Sequence, residues 1–195
     1  MQLHSYLLLD YLSDAPSRIA QLCSDNIELI FNLPAHRLSF EELMKELDSL
    51  YKNGLIDTFY DEETIKSGMP SEQSKDCFIA LTEKGGACWE SRFEPAWESY
   101  LSIEEKYNEN GELNIRVGCS SEDLIEKILL PILKERHFEI SLMRPWSATY
   151  WKLLDIGYVA SLRVPDNTFD DKYFVQHLGV WRRNWDFSSN DLKLK

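Results

Sequence analysis

Long apolar runs are missing from this 195-residue chain. The patch from Tyr6 to Leu9 is stopped by Asp10, far short of the roughly 20 residues that cross a bilayer, so no membrane association is expected. No basic segment precedes that patch and no small-residue cleavage site follows it, which argues against a secretory leader and predicts a cytoplasmic protein. Cysteine is scarce as well: Cys23, Cys77, Cys88 and Cys119 are 54, 11 and 31 residues apart, with neither a C-x-x-C pair nor enough bridges for a disulfide scaffold. They are expected to be buried small apolar residues or unpaired thiols. His4, His36, His137 and His177 stand singly, without metal-ligand spacing. There is no G-x-S-x-G elbow, Walker loop, G-x-G-x-x-G or H-E-x-x-H. Carboxylates abound without any sign of two converging. We therefore expect no enzyme activity, no catalytic residue, no metal ligand and no cofactor.

Positive charge is short in one half of the chain. The net charge is −12. Residues 1–100 hold 8 Lys and Arg against 18 Asp and Glu, whereas residues 101–195 hold 13 against 15. A field of that sign repels phosphate backbones and steers basic proteins. What is present in quantity is hydrophobic and aromatic character, 44% and 12% of residues, enough for an ordinary packed core.

Along the chain, residues 3–23 show helix-like apolar spacing broken at "SDAPS", where Pro16 is suited to begin a new first turn. "NIELIFNL" predicts a short helix ended by Pro34. The best-marked helix runs from about Phe40 to Asn53. Leu43, Leu47 and Leu50 form its buried stripe together with Phe40, Ser39 and Glu42 make an S-x-x-E capping box, and Gly54 supplies a left-handed stop. "LIDTFY" and "CFIAL" predict two strands of a hairpin around a long polar loop. Thr82 can cap the following helix, whose stripe Trp89, Phe93, Trp97 and Tyr100 should break near Glu94 because of Pro95.

The turn "NENGE" suggests a boundary between a domain at 1–107 and another at 112–195. After it, "LNIRVG" alternates like a strand, Ser120 or Ser121 opens a helix, and "FEISLM" and "GYVASLRV" are further strands. Residues 147–155 are ambiguous, and "FVQHLGVWRRNW" reads as a last strand. The expected fold class is α+β: a winged-helix-like N-terminal domain of helices plus a two-stranded wing, then a small α+β domain with an antiparallel or mixed sheet.

The order of helices, "LSFEELMKELDSLYKNGLI", strand, polar loop, strand and "LTEKG" resembles the winged-helix domains of MarR- and PadR-like bacterial regulators over about residues 1–100. The matching residues are Leu43, Leu47, Leu50, Gly54, Leu55, Ile56, Leu81, Thr82 and Gly85. The resemblance implies that the Phe40–Asn53 helix is a recognition helix whose outward face enters the DNA major groove. That face here carries Glu41, Glu42, Lys45, Glu46, Asp48, Ser49 and Lys52. Four acids oppose two lysines, a surface that disfavours phosphate contacts, although His36, Arg37 and Lys45 could supply a few.

Trp146, Trp151, Trp181 and Trp185 fall in the last fifty residues, among Tyr150, Tyr158, Tyr173, Arg144, Arg163, Arg182 and Arg183. Tryptophan and arginine are frequent in binding hot spots, but tryptophans also fill the cores of small sheets. In a strand, Trp181, Arg183 and Trp185 share one face. The expected partner-binding residues are thus Glu41, Glu42, Lys45, Glu46, Trp181, Arg182, Arg183 and Trp185. The expected role is that of an interaction protein binding a basic protein, as an immunity protein or antitoxin would. The alternative is a DNA-binding regulator whose second half senses a ligand or dimerises.

Overall fold

A computed structural model describes residues 3–60, 63–64, 75–107, 113–129, 139–164 and 181. Two compact units emerge. Among the described residues, the first holds those of 3–93 together with Thr149–Trp151, and the second holds those of Glu94–Ala148 with 152–164 and Trp181. Both are α+β.

In the first unit, helix α1 (Leu3–Tyr11) is followed by a two-residue strand, β1 (Ser17–Arg18), and two short helices, α2 (Ile19–Leu22) and α3 (Ile27–Phe31). The break at "SDAPS" thus leads into a strand and not directly into a helical turn. Ser17 and Arg18 pair with Ile79 and Phe78, a partner some sixty residues away that local periodicity does not reveal. Helix α4 (Phe40–Lys52) comes next, then β2 (Ile56–Tyr60), β3 (Glu63–Thr64), β4 (Phe78–Leu81) and α5 (Glu83–Phe93). The sheet is antiparallel, in the order β1-β4-β2-β3.

The core of this unit is built on Leu7, Leu8, Leu9 and Leu12, the α4 stripe Leu43, Leu47 and Leu50, and Ile56, Ile79 and Trp89. Trp89 is 0% exposed, a burial worth on the order of 5 kcal/mol at most. Its Nε1 donates to Asp10 Oδ1 at 2.9 Å, so the buried carboxyl group of α1 has a hydrogen-bond partner from α5. Phe93 meets Tyr6 edge-on at 6.3 Å.

Residues 149–151 complete this unit. Tyr150 Oη accepts from the Leu81 amide at 2.6 Å and donates to the Leu12 carbonyl at 2.7 Å. Trp151 Nε1 donates to the Ser13 carbonyl at 2.8 Å, and its ring stands edge-on to Trp89 at 5.9 Å. The glycine pair in "LTEKGGACW" has a packing reason. A Cβ on Gly85 would overlap the Leu55 carbonyl, and one on Gly86 would enter the Trp151 indole. Thr82 begins α5 as expected, its Oγ1 accepting from Gly85 N at 3.0 Å.

The second unit opens with Glu94 in a left-handed conformation (φ 46°), which ends α5 before Pro95. Only a 3-10 turn, Trp97–Ser99, follows. The contacts divide the chain here, ahead of the boundary expected at 107–112, because β5 (Leu101–Tyr107) pairs with β6 (Leu113–Cys119) along its whole length. Helix α6 (Glu122–Leu129), β7 (Ile140–Met143), β8 (Trp146–Ser147), β9 (Leu153–Leu154) and β10 (Gly157–Val164) complete it. The larger sheet is antiparallel, in the order β5-β6-β10-β7, while β8 and β9 form a separate pair.

One face of that sheet carries the core: Leu101, Leu113, Ile115, Val117, Cys119, Ala160 and Leu162, with Ile125 of α6 against them. At one end of the other face, Trp146 lies where Gly118 and Gly157 leave room, since a Cβ on either would run into its indole. No helix among the described residues is long and apolar enough to cross a membrane.

Candidate functional site

Helix α4 owes its start to Ser39, which sits in extended backbone (φ −63°, ψ 163°). Its Oγ accepts from Glu42 N at 3.3 Å while Glu42 Oε2 accepts from Ser39 N at 2.8 Å. Both halves of the capping box are therefore made. At the other end Gly54 takes the left-handed conformation (φ 67°), and Lys84 Nζ donates to the Asn53 carbonyl at 2.8 Å. Leu43, Leu47 and Leu50 face the core, and Phe40 is half-buried.

The outward face then consists of charge. Lys45 Nζ lies 2.7 Å from Glu41 and Lys52 Nζ lies 2.6 Å from Asp48. Each is an i,i+4 pair in the favourable acid-before-base order. Lys45 holds the Glu41 carboxyl below its ordinary range, first by hydrogen bond and then by charge, and is itself raised in return. Glu42 is lowered mainly by the Ser39 amide. Glu46 accepts a hydrogen bond from the buried Ser5 hydroxyl of α1. Beside it runs a groove of about 460 Å³ lined by Ser5, Glu46, Ser49, Asn53 and Lys84, with Leu50 and Leu55 at its base. The sequence reading missed Ser5 and Lys84, whose roles depend on α1 and α5 reaching α4.

Of the three cations considered for phosphate contacts, His36 is unsuited. It is buried, its Nε2 donating to the Leu22 carbonyl at 2.8 Å and its Nδ1 accepting from Leu38 N at 2.9 Å. Burial also pushes its pKa down, which keeps the ring neutral. Arg37 is exposed, and Lys45 is committed to Glu41. Two further cations lie over aromatic rings, Lys75 over Phe40 at 5.7 Å and Arg18 over Phe78 at 4.9 Å.

Among the described residues, the aromatic side chains of the second half do not gather into one exposed patch. Trp151 and Tyr150 belong to the first unit. Trp181 is 3% exposed and stacks on Trp97 at 5.0 Å, with Tyr100 edge-on to both Trp181 and Trp146. Tyr100 Oη donates to the Ala148 carbonyl at 2.7 Å, and burial raises its pKa to about 12. Trp181 is thus an interior residue and offers no face to a partner. Arg182, Arg183 and Trp185 lie outside the described residues, as do the "FVQHLGVWRRNW" strand except Trp181, most of the polar loop at 61–74, His137 and His177.

Cys77 and Cys119 are buried and Cys23 and Cys88 half-buried, all four unpaired. No group of three or more His, Cys, Asp or Glu side chains is placed to hold a metal among the described residues. No family model matches the chain, and no curated protein or solved structure does either.

Proposed function

We propose that the first unit is a winged-helix-like module whose α4 face docks a basic protein, and that the chain is a non-catalytic cytoplasmic interaction protein of the immunity or antitoxin kind. The winged-helix reading is supported by the order of elements: β1 lies between α1 and α2, pairs with β4, and so joins the hairpin that follows α4. The observation that carries the partner's sign is the pairing on α4. Both of its lysines are bound to acids one turn earlier, so its four acids and two lysines leave a charge of −2 on the helix. At physiological salt the Debye length is about 8 Å, and charges on the docking face outweigh the distant remainder of the chain. Duplex DNA needs cations at each phosphate, whereas a Lys- or Arg-rich surface gains from Glu42 and Glu46. A DNA-binding regulator is the second reading, favoured by Arg37 and Lys75 near the amino end of α4.

Fluorescence anisotropy with a labelled Lys/Arg-rich helical peptide and with random and genomic duplex DNA separates the two. In the double variant Glu42→Gln, Glu46→Gln, glutamine retains the cap and the acceptor for Ser5 while removing both charges. It should weaken peptide binding about three- to tenfold. Asp25→Asn with Asp57→Asn, an equal charge change at exposed sites off α4, should have a smaller effect. Sequence-dependent duplex binding at physiological salt would sink the proposal.

A further inference from the structure

The second unit gathers basic side chains among its described residues. Strand pairing puts Lys106, Asn114 and Arg163 in one row across β5, β6 and β10, and Glu104, Arg116 and Ser161 in the next. These positions alternate with the core residues Ile115 and Leu162, so their side chains lie on the sheet face away from α6. Together with Ile115 and Leu162 they line a shallow cavity of about 460 Å³. Among the described residues, this lining holds three cations, Lys106, Arg116 and Arg163, and one carboxylate, Glu104.

We propose that this face binds a small polyanion carrying two or more phosphoryl or carboxylate groups. Strands stand about 4.8 Å apart and alternate residues about 6.7 Å apart along a strand. The Cα atoms of Lys106, Arg116 and Arg163 therefore form a triangle with sides of about 8–10 Å, a span that long side chains close around one multivalent ligand but not around one small anion. Arg116 is held in place by Glu104, its Nη1 lying 3.3 and 3.5 Å from the two carboxylate oxygens. A guanidinium has five N–H donors, and the other nitrogens of Arg116 can meet the ligand. The Asn114 amide and Ser161 hydroxyl add neutral hydrogen bonds. Among the described residues the lining includes no aromatic ring of the kind on which single-stranded nucleic acids stack. With Arg116 and Glu104 each about half exposed, 48% and 52%, binding is expected to be modest and salt-sensitive.

The test is an amide chemical-shift titration of the full chain at low salt, with pyrophosphate in one arm and citrate in the other. Saturable shifts confined to 104–106, 114–116 and 161–163 are expected, and the arm that saturates first identifies the ligand's anionic group. Arg116→Gln and Arg163→Gln should each weaken binding about tenfold, while Glu104→Gln should strengthen it severalfold by removing a repulsive charge. All three positions are exposed, and unchanged thermal melts verify folding. Shifts that are absent in both arms, that scatter over Arg18 and Lys75 as strongly as over the sheet, or that ignore all three substitutions would overturn the proposal. None of these outcomes depends on Glu42 or Glu46.

Discussion

Among the described residues, the α4 face is rich in acids and the β5–β6–β10 face in cations, and the two are built by opposite means. On α4 each cation follows an acid by one turn, so its charge pattern is written within thirteen residues. On the sheet the cations come from positions 106, 116 and 163, and Glu104, the one acid among the described lining residues, is matched to a cation on the next strand. Helix surfaces are local in sequence and sheet surfaces are not. A net charge of −12 therefore says little about any one face, and the sign of a candidate partner has to be read patch by patch.

The two units can be compared directly through their buried thiols. Cys77 and Cys119 are both 0% exposed, and burial raises the Cys119 pKa to about 12; Cys77 is raised for the same reason. Pulsed alkylation with mass-spectrometric readout should find half-buried Cys88 reacting first and these two slowed by roughly a thousandfold or more, since each needs its unit to open. Cys119 should be the slower, because it lies on a strand paired on both sides, to Leu101 and Tyr158, whereas Cys77 immediately precedes β4. Equal rates would mean that the units open as one.

Glycine gives the next largest contrast. Gly86 seats Trp151 on a helix, and Gly157 seats Trp146 on a strand. An added methyl collides with an indole in both, at a cost of about 1–3 kcal/mol. Alanine returns up to about 1 kcal/mol on a helix, so urea midpoints should show Gly157→Ala losing about 3 kcal/mol and Gly86→Ala nearer 2. The reverse order would show that the sheet relaxes around Trp146 more easily than the helix does around Trp151.

These glycines also mark what was legible. The capping box at Ser39 and Glu42, the stop at Gly54, the Thr82 cap and the Leu43, Leu47 and Leu50 stripe were all readable, because each involves residues within a few turns of one another. Strand β5 was not, since "SIEEKY" has no clean alternation and is held by β6. Nor was the docking of Tyr150 and Trp151 onto Leu12, Ser13 and Leu81, which joins residues 69 to 138 positions apart. Among site residues the acids of α4 were legible from spacing. Lys106, Arg116 and Arg163 become neighbours only through strand register.

His36 supplies a smaller, pH-dependent test of the first unit. Its pKa is depressed below the ordinary 6.5, so the unfolded chain takes up a proton more readily than the folded one. Its contribution is complete above about pH 6.5 and is lost as pH falls through the folded-state value. Urea midpoints measured across that range should decline toward acid, and His36→Gln should flatten the decline while lowering the plateau. An unchanged slope in the variant would assign the acid sensitivity to other groups.

The smallest effects on stability separate the two faces most cleanly. Lys45 and Glu41 are 73% and 75% exposed, and exposed pairs of this kind are screened by solvent and contribute little. Lys45→Gln and Arg116→Gln should therefore leave thermal melts unchanged while moving binding in opposite directions. Loss of Lys45 frees Glu41, makes the α4 face more acidic and should strengthen the basic peptide's binding; loss of Arg116 should weaken pyrophosphate. Added salt should diminish both affinities, and with them both substitution effects. If Lys45→Gln weakened the peptide instead, the lysine would be a contact in its own right, and the helix would be recognised by its pattern of paired charges and not by its excess of acid.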